Sequence, residues 1–169
     1  MGTKGASSLN KIIVGSFTSS IMTNASCKVL AIPATGKFKI PKKITFASNY
    51  NDNDLKPIKQ LIDLNMFFGA QLNILHVDVS NKTSKSKEIL FNKNKFKIEK
   101  HIKDENLTFK HIAGKDPLDS LLRSTLKDKT DILVISPMKK EIVWTWLFHH
   151  SFTKAIAGQI HLPLLSIPQ

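Results

Sequence analysis

At 169 residues the chain is long enough for one domain with its own core, and 41% hydrophobic against 22% charged residues excludes disordered and collagen-like classes. No apolar run approaches the roughly 18 residues that span a bilayer. The opening Met1-Gly2-Thr3-Lys4-Gly5 does not lead into the apolar block of a secretory signal, and the single cysteine, Cys27, excludes an internal disulfide, so a cytoplasmic location is expected.

In chain order, Gly2, Gly5 and Gly15 punctuate a loop that leads into a helix opening with Ser16 and Thr18. Val29 to Pro33 reads as a short strand. Gly36 and the Lys37–Lys43 stretch, with Pro41, make a junction. Lys43 to Ala47 is a β-prone run, followed by a polar loop from Ser48 to Asp54. Leu55, Ile58, Leu61, Ile62 and Met66 form a helical stripe over 54–69 that stops at Gly69. Leu72 to Val77 is a buried-type strand, and Ile89, Leu90, Phe96 and Ile98 lie at roughly helical spacing in the Lys-rich stretch 84–103. Leu107 to Ile112 alternates like a strand. Asp116 as cap and Pro117 in the first turn open a helix carrying Leu118, Leu121, Leu122 and Leu126. Ile132–Ile135 is another buried strand, and a helix over about 150–159 and a strand over Leu164–Ile167 close the chain. Strands alternating with helices predict a doubly wound α/β fold, with a five-stranded, mostly parallel sheet and helices on both faces.

The chain also repeats. Shifted by 135 positions, residues 1–34 match 136–169 without a gap, with eight identities that include Ser16-Phe17-Thr18 on Ser151-Phe152-Thr153 and Leu30, Ile32 and Pro33 on Leu165, Ile167 and Pro168. This predicts two units: residues 1–34 as the end of one domain (loop, helix and last strand) and 37–169 as a complete second one. Alone, the first segment has too few elements to fold, so its strand is expected to pair antiparallel with the last strand of the complete domain or of a second chain.

Glycines let backbone approach an anion, and a loop feeding a helix N-terminus aims unpaired N–H groups at phosphate. Gly2, Gly5, Gly15, Ser16 and Thr18 are therefore the candidate phosphate-binding residues, with loop punctuation as the plainer reading. Gly2-x2-Gly5-x9-Gly15-Ser16 resembles the nucleotide-binding signature of the universal stress protein family, as do Gly2 to Ser7 and Ala25 to Pro33 around it. The resemblance implies that family's five-stranded fold, of the adenine-nucleotide alpha-hydrolase-like type. It also implies ATP, with Mg, held by Gly2 and Gly5 along the phosphates and by Gly15 and Ser16 at their end. Domains would pair through their last strands, Val29–Pro33 and Leu164–Pro168, as a homodimer or as tandem repeats. Met1 falls where the family's fourth strand ends, so the chain is expected to be the C-terminal part of a tandem-domain member.

The complete domain departs from the signature. It has Pro137, Met138, Lys139, Lys140 and His150-Ser151 at those positions, and Asn49 where ATP-binding members place Asp. All three glycines are replaced, and Pro137 removes an N–H donor.

The remaining features give no enzyme. His149-His150 and His161 lack acidic or Cys partners at ligand spacing, so no metal site is expected. Cys27 reads as a small buried hydrophobe. Trp144 and Trp146, in Glu141–Phe148, are expected to fill the degenerate cleft or face a protein partner. The expected function is a universal-stress-type, nucleotide-binding or regulatory stress-response module without catalysis. The alternatives are a scaffold or dimerisation domain that binds no ATP, and a weak nucleic-acid binder. The last would act through the nine lysines of 82–110, given 25 basic against 13 acidic side chains in the whole chain.

Overall fold

The apolar runs become strands and the striped segments helices in a computed structural model that describes residues 21–22, 24–33, 39–50, 52–79, 85–102, 104–137 and 162–169. In chain order these form β1 (Val29–Ala31), β2 (Lys43–Ala47), a 3-10 turn (Asp52–Asp54), α1 (Leu55–Asn65), β3 (Gln71–Val79), α2 (Lys85–His101), β4 (Leu107–Gly114), α3 (Pro117–Lys127), β5 (Ile132–Ile135) and β6 (Leu164–Ser166). The sheet has six strands in the order β1-β6-β5-β2-β3-β4. Strands β2 to β6 run parallel, as the alternation of strands and helices predicts. β1 adds a sixth strand, antiparallel to β6.

The β1–β6 register carries the repeat. Leu30 pairs with Leu165, flanked by Val29 with Ser166 and Ala31 with Leu164. Leu30 and Leu165 are the positions equated by the 135-residue shift, so a local pseudo-twofold axis passes through that pair. β1 covers an edge of β6 that would otherwise present unpaired backbone groups. The turn before it is anchored as well: Met22 is buried, and its carbonyl accepts a hydrogen bond from the Ser166 hydroxyl at 2.9 Å.

Alternation along the strands splits the core between the two faces. Ile44, Phe46, Leu72, Ile74 and Val134 pack with Ile58 and Leu61 of α1 and with Ile98 of α2. Leu75, Leu133, Ile135 and Leu164 pack with Leu121 of α3 and with Met22. Each such side chain contributes about 1.5–3 kcal/mol by leaving water.

The helix boundaries follow local chemistry. Asp116 caps α3, its carboxylate accepting from the N–H groups of Leu118 (2.9 Å) and Asp119 (3.2 Å), with Pro117 in the first turn. After α1 the chain turns through Gly69 at φ 62°, a left-handed conformation that favours glycine. The Asn65 side chain bridges this turn to both the N–H and the carbonyl of Ala70.

Three sequence expectations change. Met66 and Leu126 end their stripes in solvent, at 81% and 52% exposure. In α2 only Ile98 of the four expected apolar residues is buried, whereas Ile89, Leu90 and Phe96 are exposed; Phe91 is half-buried instead, which rotates the packed face of the helix. Cys27 is exposed rather than buried, because it lies in the bend before β1 and not on a strand face.

Candidate functional site

β2 lies between β3 and β5, so the chain's parallel connections depart in opposite directions from the β2–β5 pair. A crevice outside the carboxyl ends of such a pair is where doubly wound folds place ligands. On the β2 side the lip is Ser48-Asn49-Tyr50. The Ser48 N–H donates to the carbonyl of Leu75. Its hydroxyl donates to Asp54 at 2.6 Å and accepts from the N–H of Tyr50 at 2.9 Å. Tyr50 adopts a left-handed backbone, φ 52°, which is uncommon outside glycine. That turn drives the Tyr50 ring into the core and leaves Asn49 exposed. Burial, reinforced by the Asp54 carboxylate, pushes the Tyr50 phenol well above its ordinary range, so it stays neutral at physiological pH. On the β5 side, the Ser136 hydroxyl donates to the carbonyl of Ile167 at 2.9 Å, and Pro137 is buried.

Beside this crevice, on the α1–α2 face, β3 and β4 bring together polar residues that the sequence reading did not single out. His76 and Asp78 share one face of β3 by alternation, and the parallel register sets His111 opposite His76. His111 Nε2 is 2.6 Å from Asp78 Oδ2, and His76 Nε2 is 3.9 Å from Asp78 Oδ1. His76 Nδ1 lies 2.8 Å from the Ser48 carbonyl, tying the cluster to the crevice lip. Aromatic rings enclose it: Phe91 stacks on His111 at 4.9 Å, and Tyr50 lies 5.0 Å from both Phe91 and His76. The predicted strand Leu72–Val77 stops one residue before Asp78, whereas the strand runs to Val79, and the pairing with His111 depends on the inter-strand register.

Gly2, Gly5, Gly15, Ser16 and Thr18 lie outside the described residues, as do Met138 to His161 with Lys139, Lys140, Trp144, Trp146, His149, His150 and Ser151. Asn49 and Pro137, two of the positions at which the complete domain departs from the signature, are described, beyond the carboxyl ends of the neighbouring strands β2 and β5. Near the start of α1, a groove of about 540 Å³ is lined by Asp52, Asn53, Lys56, Lys59 and Gln169 among others. No described helix is long and apolar enough to cross a membrane.

No family model and no curated protein matches the chain. Solved structures do. A protein of Pseudomonas aeruginosa UCBPP-PA14 assigned to the universal stress proteins is similar over 99% of this chain and 62% of its own, at 18% identity and TM-score 0.67. A universal stress protein from Archaeoglobus fulgidus is similar over 100% of this chain and 59% of its own, at 14% identity and TM-score 0.63. The chain therefore spans about three fifths of the length of these two structures. A universal stress protein in complex with cAMP is similar over 76% of this chain and 98% of its own, at 13% identity and TM-score 0.53. The chain has the fold of the universal stress proteins.

Proposed function

We propose that the chain is a universal-stress-type regulatory module that binds an adenine nucleotide through the glycine signature of its first segment and carries out no chemistry on it. The observation that carries this reading is the fold, shared with a universal stress protein in complex with cAMP. In the complete domain, where the signature glycines are replaced, the exposed Asn49 would still offer an uncharged partner for a ribose hydroxyl. Gly2, Gly5, Gly15, Ser16 and Thr18 would hold the phosphates, with Mg2+ accompanying a triphosphate, as the sequence resemblance implies. Urea unfolding with MgATP, with cAMP and without nucleotide tests the reading. A ligand at a hundred times its dissociation constant adds about 2.7 kcal/mol. Stabilisation without release of phosphate is expected; no shift with either nucleotide contradicts it.

A second reading is favoured by Pro137, which brings no N–H donor to the crevice. On this reading the chain is a scaffold whose last strands, Val29–Pro33 and Leu164–Pro168, pair domains or copies. It predicts no nucleotide response, together with an oligomer that is lost when residues 1–34 are removed. The third reading, nucleic-acid binding through 82–110, predicts binding that collapses with rising salt.

A further inference from the structure

The geometry points to a binding site for a borderline divalent transition metal, of the zinc type, formed by His76, Asp78 and His111. One ligand atom from each residue lies within 4.8 Å of the other two. Two donors bound to one tetrahedral ion stand about 3.3–3.6 Å apart, given metal–ligand distances of roughly 2.0–2.2 Å. His111 Nε2 lies 2.6 Å from Asp78 Oδ2 and His76 Nε2 3.9 Å from Asp78 Oδ1, and with all three donors within 4.8 Å of one another, closing on the ion takes side-chain movements of at most about 1.5 Å for the widest pair. The metal takes the place of the hydrogen between His111 Nε2 and Asp78 Oδ2: from a neutral imidazole that proton is returned through solvent to Nδ1, and from an imidazolium it is released to solvent.

Three further features favour a metal over a hydrogen-bonded cluster alone. The Ser48 carbonyl can only accept, so His76 Nδ1 donates to it, which turns Nε2 toward the cluster, 3.9 Å from Asp78 Oδ1. A backbone carbonyl fixing the remote nitrogen is the usual support of a metal-bound histidine. The donors also sit on two hydrogen-bonded strands, in a register that fixes His76 against His111, so little ordering remains to be done on binding. Finally, the side chains of His76, Asp78 and His111 are 22%, 12% and 10% exposed, under the rings of Phe91 and Tyr50. Two imidazoles and one carboxylate select zinc-like ions over Mg2+, which prefers oxygen ligands. Three protein donors also leave a coordination position for water or an outside ligand.

Titrating the full chain, stripped by chelator, with Co2+ and then Zn2+ tests this. Expected are one cobalt per chain with the visible absorption of a low-coordinate centre, displacement by Zn2+ but not by equimolar Mg2+, and an affinity loss of more than about 100-fold in His76→Gln and in Asp78→Asn. The combined variant His149→Gln/His150→Gln/His161→Gln keeps the spectrum if the site is as assigned. Lack of cobalt bands in the unaltered chain, displacement by Mg2+, or loss of binding in the combined variant with retention in His76→Gln overturns the assignment. The unaltered chain answers the first two points even if a ligand variant fails to fold. Because no nucleotide is present, the outcome is independent of the nucleotide reading.

Discussion

At the amino end of the sheet Asp131 accepts from the backbone N–H groups of Lys42 and Lys43 at 2.8 and 3.0 Å and pairs with the Lys39 ammonium. At the carboxyl end Asp78 faces His111 and His76. Both carboxylates lie largely within the protein, with side chains 10% and 12% exposed. The first is surrounded by permanent donors and clamps the start of β2 to the start of β5. The second is surrounded by groups that gain or lose protons and bind metals. The left-handed residues divide in the same way. Lys129, φ 54°, ends α3 near Asp131, with the Thr130 N–H returning to the carbonyl of Thr125 at 2.9 Å. Tyr50, φ 52°, lies at the crevice lip with its ring locked among His76 and Phe91. The amino end carries stability, and strain at the carboxyl end is retained where a ligand is expected.

The sharpest way to break this comparison is to put glycine at both left-handed positions. Tyr50→Gly relieves backbone strain but empties a buried ring site, and is expected to cost about 3 kcal/mol or more in urea unfolding. Lys129→Gly loses nothing buried and is expected to gain about 0.5–1 kcal/mol. Equal effects at the two sites would erase the distinction.

Next in size, Asp131→Ala strands two backbone donors and an ammonium, and is expected to cost about 2–3 kcal/mol. The same clamp sets an acid dependence. Burial works against the Asp131 carboxylate, but its bonds to Lys39, Lys42 and Lys43 outweigh burial and hold its pKa below the ordinary carboxylate range. The contribution is therefore complete above the unfolded value of about 4 and is lost as pH falls through the lower folded value. Urea midpoints measured below about pH 4 should fall less steeply for Asp131→Asn than for the unaltered chain. Smallest of all, Arg123 pairs with Asp119 on the solvent side of α3, at 78% and 47% exposure. Arg123→Ala is expected to change stability by less than about 0.5 kcal/mol.

Much of the fold was legible because burial on both faces of a parallel strand writes itself as an apolar run: Lys43–Ala47 and Ile132–Ile135 were read to the residue. Asp116-Pro117 was equally direct, since a cap is a local hydrogen bond. The packed face of α2 was not, because mixed lysines and apolar residues over 85–101 leave several helical faces equally apolar, and contact with β3 and β4 selects Phe91 and Ile98. The His76–Asp78–His111 cluster was hidden for a different reason. His76 and His111 are 35 positions apart in sequence, and only strand register makes them neighbours. Asn49 was found through the family resemblance, while the turn that presents it depends on a left-handed tyrosine that no composition rule would place there.

Amide hydrogen exchange with and without MgATP tests the nucleotide reading most directly. The account predicts slowed exchange in segments covering residues 2–18, with α2 unchanged. Slowing confined to the lysines of 85–103, or none anywhere, would contradict it.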